Sequence, residues 1–137
     1  MIKGIADNSK KVKKGFIFFA IKGNKVNGEK YIDEAVKNGA VVIFCSKNCK
    51  YKNTDIIIKK IENIRYILSD ISSKFYKLKP QNITAVTGTN GKSSVADIYY
   101  QILNLNNLPV ASIGTLGVKI KNKIIKSDLT SPDAISL

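Results

Sequence analysis

The stretch Thr87-Gly88-Thr89-Asn90-Gly91-Lys92-Ser93-Ser94 combines the residue types that hold a polyphosphate. Glycines at 88 and 91 let the backbone turn sharply, so that successive N–H groups point inward at anionic oxygens. A helix opening at Lys92 presents its electropositive end to the same anion. Lys92 has the reach to neutralise terminal phosphates, and the Ser93 hydroxyl is placed to ligate Mg²⁺. Gly88, Thr89, Asn90, Gly91, Lys92, Ser93 and Ser94 are therefore the candidate ATP-binding residues, with Lys92 the candidate catalytic one. The pattern departs from the common phosphate loop at one point, because Val86 stands where a glycine usually opens it.

Such a loop works only between a strand and a helix. Ile83-Thr84-Ala85-Val86 reads as the strand, and residues 92–105 as the helix. Pro109-Val110-Ala111-Ser112-Ile113 reads as the next strand, which completes a βαβ unit. Gly117 to Ile120 and Ile124 to Ser127 form an expected hairpin turning at Lys121-Asn122-Lys123, and Thr130-Ser131-Pro132-Asp133 carries the signals of a helix start. Upstream, buried strands are expected at residues 16–21, 40–44 and 55–58, where apolar runs are bounded by turn residues. Helices are expected over 31–37, stopped by Asn38-Gly39, and over 63–77, where Ile64, Ile67, Leu68, Ile71 and Phe75 recur at three and four. Strands alternating with helices predict an α/β fold with a largely parallel sheet. Leu78-Lys79-Pro80-Gln81 interrupts the pattern, since proline cannot continue a helix and biases Lys79 towards extended backbone. The boundary divides a small α/β domain over 1–79 from the start of a P-loop, Rossmann-like domain over 80–137.

The formal charge of +13 invites a nucleic-acid reading. Against it, Arg65 is the single arginine, so the bidentate guanidinium fork that reads base edges is nearly absent. The lysines are scattered in short pairs such as Lys10-Lys11 and Lys13-Lys14, which describes a solvated exterior. Cys45 and Cys49 are the only cysteines and there is no histidine. Two thiols cannot complete a tetrahedral zinc site, and Cys45 ends an apolar run, so both are expected to be reduced and structural. The missing histidine excludes a Ser-His or Cys-His nucleophile from these residues. No apolar run approaches the roughly 18 residues of a membrane span, and no apolar segment of a secretory signal follows Met1. A cytoplasmic monomer with no membrane or nucleic-acid partner is the expectation.

The shortened loop carries a resemblance. Thr-Gly-Thr-Asn-Gly-Lys followed by two hydroxyl residues is similar to the ATP-binding loop of the Mur ligase family and its folylpolyglutamate synthase relatives, which often have two threonines where Ser93-Ser94 stand. Asn8-Ser9-Lys10-Lys11-Val12-Lys13-Lys14-Gly15, with Phe18-Phe19-Ala20-Ile21-Lys22-Gly23, resembles the opening of the UDP-binding domain of MurE-type members. Those typically read Asp-Ser-Arg-x-Val, then Pro-Gly and Leu-Phe-x-Ala; here Ser9 keeps the serine while Asn8 and Lys10 replace its neighbours. Asn24-Lys25-Val26 and Asn27-Gly28 match the following loop, which in MurE-type enzymes touches the uridine diphosphate. Gly114-Thr115-Leu116-Gly117 and, further on, Leu129-Thr130-Ser131-Pro132-Asp133 resemble the stretch whose paired hydroxyls hold the muramoyl-peptide substrate. The resemblance thus assigns UDP-substrate binding to Asp7, Ser9, Asn24, Lys25, Val26, Thr130 and Ser131, and Mg²⁺ ligation to Ser93.

It further implies three joined domains, of which this chain holds the UDP-binding one and the beginning of the ATPase. The chain is accordingly expected to be a fragment, with the family's glutamate and histidine ligands for Mg²⁺ and its modified lysine lying beyond it. The implied reaction is ATP-driven amide formation through an acyl phosphate. Its cofactors are ATP and Mg²⁺; its substrates are UDP-N-acetylmuramoyl-L-alanyl-D-glutamate and an amino acid, diaminopimelate or lysine. A folylpolyglutamate synthase-like ligase shares the loop but lacks the UDP-binding domain. A non-catalytic nucleotide- or nucleic-acid-binding module is the alternative from another class.

Overall fold

Four short strands of the N-terminal half lie side by side in the order in which the chain makes them. A computed structural model describes residues 1–23, 26–121, 123–125 and 135. In it β1 (Gly4–Ala6), β2 (Phe16–Phe19), β3 (Ala40–Ser46) and β4 (Ile57–Ile61) form one sheet of order β1-β2-β3-β4. Every pairing is parallel, with Ile5 opposite Ile17, Phe18 opposite Ile43, and Ile43 opposite Ile58. The connections carry helix: a 3-10 turn Ser9–Lys11, a 3-10 turn Gly28–Tyr31 running into α1 (Ile32–Lys37), and, after β4, α2 (Ile64–Phe75). The α/β class with a parallel sheet is therefore realised in this half.

Its core follows from the pleat, which sends alternate residues to opposite faces. Ala6, Phe18, Ile43 and Cys45 join Ile32 and Ala35 of α1 in one buried cluster. Phe18, Ile32 and Ile43 are fully enclosed, each contributing about 1.5–3 kcal/mol by burial. Ile5, Ile17 and Phe19 alternate with the cluster's strand residues and are buried too. Phe19 also stacks on Phe44 across the β2–β3 pair, with ring centroids 4.9 Å apart. Helix α2 is capped by Asn63, whose side chain accepts from Tyr66 N, and it buries Ile64, Leu68 and Ser72, a stripe four residues apart. Helix α1 stops at Gly39, whose φ of +99° suits only glycine and whose added Cβ would lie 2.7 Å from Lys14 Cα. Both cysteines are free and buried, as expected from Cys45's apolar run.

Chain contacts divide the molecule into two compact units, Met1–Leu78 and Lys79–Leu137. The second contains α3 (Lys92–Leu105) and an antiparallel sheet of β5 (Ala111–Gly114), β6 (Gly117–Ile120) and β7 (Lys123–Ile125). Here two sequence expectations are corrected. Residues 83–86 form no strand: a strand is defined by a ladder, and among the described residues none pairs with them, leaving Ile83 83% exposed. The expected βαβ unit is absent for the same reason, because β5 pairs antiparallel with β6 as the first strand of a meander. Helix α3 and the β6–β7 hairpin fall where the sequence places them, while β4 starts two residues later than its apolar run. The expected helix start near residue 130 lies outside the described residues.

Candidate functional site

The phosphate loop is built by backbone conformation more than by packing. Gly91 caps α3 with φ +74°, in the left-handed region, and Gly88 has φ +147°. A Cβ on Gly91 would meet nothing within 4 Å, so the requirement for glycine there is conformational rather than steric. Among the described residues no side chain caps the N-terminus of α3. The N–H groups of its first turn therefore remain available to an anion, and the helix spans 14 residues behind them.

Two side chains converge on this backbone. Lys92 Nζ donates to the carbonyl oxygens of Gly88 and, at 3.0 Å, Thr89, which holds the ammonium over the loop. Ser93 Oγ lies 3.1 Å from Thr115 Oγ1, at the β5–β6 turn. All residues from Gly88 to Ser94 are solvent-exposed. A small hollow beside Ser93 is lined by Asp97, Ser112, Thr115 and Lys119. Within it Lys119 Nζ bonds Asp97 Oδ1, and Gln101 donates to the other carboxylate oxygen at 2.8 Å. The Lys119 ammonium, then the Gln101 amide, hold the Asp97 carboxyl below its ordinary 3.8.

Mg²⁺ fits this donor set in a limited way. Asp97 is occupied by its ion pair, and no group of three acidic, histidine or cysteine side chains occurs among the described residues. The exposed Ser93 hydroxyl, directly after Lys92, offers a hard oxygen at the start of α3. That suits an ion which keeps several waters and takes most of its ligands from phosphate.

A second group of candidates lies at the carboxyl ends of β1 and β2, the edge of a parallel sheet where ligands characteristically bind. Asp7 occupies the bend after β1 and is partly buried. Ser9 is 5% exposed, and its hydroxyl is already engaged, donating to Glu34 Oε2 at 2.6 Å. Its carbonyl accepts from Asn38 Nδ2 at 2.9 Å and from Val12 N at 3.2 Å. The structure thus gives Ser9 a fastening task, tying the turn after β1 to α1. After β2 the chain makes a closed loop: Gly23 N donates to Val26 O at 2.8 Å, and Gly28 N to Ile21 O at 2.9 Å. An added Cβ on Gly28 would lie 2.7 Å from Ile21 O, so this closure requires glycine. Val26 projects from the loop, 53% exposed. Glu29 anchors the same segment to β3 by accepting from Ser46 N at 3.1 Å. Asn24, Lys25, Thr130 and Ser131 lie outside the described residues.

Sequence alone assigned neither Glu34 nor Asn38 a role towards Ser9, on which they act from 25 and 29 residues away. It gave Thr115 no role of its own, although the hydroxyl beside a hairpin turn was there to notice. A larger hollow of about 390 Å³, lined by Tyr51, Lys52, Asn53, Thr54, Ile58 and Lys60, is distant in sequence from every candidate. It brings no acid–base pair together, and Lys60 there bonds Cys49 O at 2.7 Å.

A family model described as "Mur ligase family, catalytic domain" matches residues 1–122. The UDP-N-acetylmuramoyl-L-alanyl-D-glutamate--2,6-diaminopimelate ligase of Rickettsia prowazekii (strain Madrid E) is 42% identical over 141 residues, covering 98% of this chain and 28% of the relative. Its namesake from Brucella melitensis biotype 1 is 36% identical over 136 residues, 99% of this chain and again 28% of the relative. The chain therefore spans a little over a quarter of the length of these relatives. Among solved structures, a ligase of the same name superposes with TM-score 0.74 at 25% identity, over 98% of this chain and 28% of that one. MurF ligase from Thermotoga maritima, solved in complex with ADP, superposes with TM-score 0.62 at 31% identity over 78% of this chain and 24% of that one.

Proposed function

The chain belongs to the Mur ligase family, and from that premise we propose that it carries the ATP-binding loop and uridine-nucleotide site of an ATP-dependent amide ligase of peptidoglycan synthesis. The reaction we assign joins diaminopimelate or lysine to UDP-N-acetylmuramoyl-L-alanyl-D-glutamate, with ATP cleaved to ADP and phosphate. The observation that carries the reading is the loop itself: a left-handed Gly91, an uncapped helix start and the Lys92 ammonium meet at one exposed place. Whole-chain similarity to ligases of that name supports the choice of substrate.

Each group has a task in phosphoryl transfer, where catalysis is mostly positioning and charge stabilisation. The backbone N–H groups of residues 88–94 hold phosphate oxygens, and Lys92 neutralises charge on the terminal phosphates. Ser93 would hold Mg²⁺, which when bound offsets the charge of the phosphate oxygens as a Lewis acid. The substrate carboxylate attacks the γ-phosphoryl group, and the amine of the incoming amino acid displaces phosphate from the acyl phosphate. At the other site, Asp7, Ser9 and the loop of Asn24, Lys25 and Val26 bind the uridine nucleotide. Thr130 and Ser131 hold the muramoyl peptide. The partly buried bonds of Ser9 to Glu34 and Asn38 keep the first of these segments in place for that task.

The test is calorimetric titration of the chain with ATP and Mg²⁺ and, separately, with UDP-N-acetylmuramoyl-L-alanyl-D-glutamate. Saturable binding of both is expected, and Lys92→Ala weakens ATP at least about tenfold while leaving the uridine nucleotide unchanged. Undiminished ATP affinity in that variant would remove Lys92, and with it the phosphate-loop assignment. Tight, strongly salt-dependent binding to random-sequence DNA, with neither ligand bound, would favour a basic binding module instead.

A further inference from the structure

We propose that Thr115 is a positioning residue for Ser93: its Oγ1 accepts the Ser93 hydroxyl proton, so that the lone pairs of Ser93 Oγ face the Mg²⁺ of the bound nucleotide. The inference rests on the phosphate-loop reading above and adds to it a residue outside the loop.

A neutral hydroxyl ligates a cation through its lone pairs, and its proton must then be given to another acceptor. When that acceptor is fixed, the ligand is held in its binding rotamer; groups in this second position typically govern metal affinity 10–100-fold. At 3.1 Å, Thr115 Oγ1 stands in that relation to Ser93 Oγ. Either oxygen of an unliganded pair can donate, but coordination of Ser93 selects one direction, with Ser93 donating and Thr115 accepting.

The geometry of Thr115 is fixed from two sides. It is the first residue of the Thr115-Leu116 turn between the paired Gly114 and Gly117, and Gly117 has a φ of +97°, the left-handed position that follows a type I turn in a hairpin. The hairpin is in turn bound to α3. Lys119 of β6 pairs with Asp97, and Tyr100 donates its phenol proton to the Lys121 carbonyl after β6. Ser93, Asp97 and Tyr100 are spaced i, i+4 and i+7, which places them on one face of α3. Thr115, Lys119 and Lys121 follow in the same order along the hairpin. The result is three ties in register, of which the first ends at the cation-binding hydroxyl. Lys119 and Asp97 are 17% and 26% exposed in their side chains, so their tie is partly shielded from solvent.

ATP affinity of the full chain, measured with Mg²⁺ and again with excess EDTA, tests the proposal in wild type, Thr115→Val and Thr115→Ser. Valine keeps the shape and removes the acceptor; serine keeps the acceptor. Thr115→Val is expected to lose about tenfold in ATP affinity with Mg²⁺ and nothing in EDTA, while Thr115→Ser stays at wild-type values in both. Equal affinities in all three proteins would overturn the proposal and leave the phosphate loop intact. An equal loss in Mg²⁺ and EDTA would overturn it in favour of a purely structural role for the turn. Absence of ATP binding by the wild type in both conditions would refute the phosphate-loop reading, and Thr115's role would fall with it.

Discussion

The two units invest their apolar residues differently. In the first, Phe18, Phe19, Ile32 and Ile43 are fully enclosed between a parallel sheet and its helices. In the second, Tyr100 is the only buried large apolar residue among those described, and Val95, Ile98, Tyr99, Ile102 and Leu105 form an exposed stripe along α3. The second unit holds its shape through polar ties between α3 and the hairpin, among them the Asp97–Lys119 pair. A closed core and a set of polar pins respond to different insults. The first unit is sensitive to lost volume, the second to lost charge.

The strongest way to break this contrast is Phe18→Ala. Removing a fully buried ring should destabilise the first unit by about 3–5 kcal/mol, read as lost hydrogen-exchange protection in β2 and β3. Protection in β6 should survive, and a parallel loss there would show that the two units share one cooperative transition. A smaller effect is expected from acid. Because the Asp97 carboxyl is held below its ordinary 3.8 in the folded chain, its contribution is complete above that value. It is lost as pH falls through the lower folded value. Protection of β6 amides should therefore weaken under strong acid before that of β3, and Asp97→Asn should abolish this pH dependence. Identical acid profiles in wild type and variant would remove the ion pair from the account. The smallest effect should come from Ile98→Gln, within about 0.5 kcal/mol of wild type, because Ile98 is 57% exposed. Binding of an apolar dye should fall in that variant; a large loss of stability would mean that the stripe is covered in solution.

The same contrast explains what the residues announced in advance. The first unit was readable because its strands are bounded apolar runs and its helices keep helical spacing, so burial alone places them. Helix α3 was also plain, since Gly91-Lys92 opens it and Leu105 is its last apolar residue. Residues 83–86 misled because an apolar, β-branched run records the capacity to pair, and the partner needed to pair is a property of the rest of the fold. Strand β1 was missed since Gly4–Ala6 is too short to show a period. The glycine turn and the helix start at Lys92 are local and were legible. The bonds of Ser9 to Glu34 and of Ser93 to Thr115 join residues 25 and 22 apart, distances at which a hydroxyl's partner leaves no trace in spacing.

Burial also governs the reactivity of the Cys45 thiol. Desolvation, then the neighbouring Cys49 thiol, pushes Cys45 up to about 12, far from the thiolate form that attacks electrophiles.

The sheet order β1-β2-β3-β4 has a kinetic consequence. Each strand pairs with the one made just before it, so no ladder waits for a strand from a later part of the chain. Synthesis proceeds from the N-terminus, and the last ladder is complete once Ile61 has left the ribosome. The sheet can thus be assembled before the phosphate loop has emerged from the ribosome.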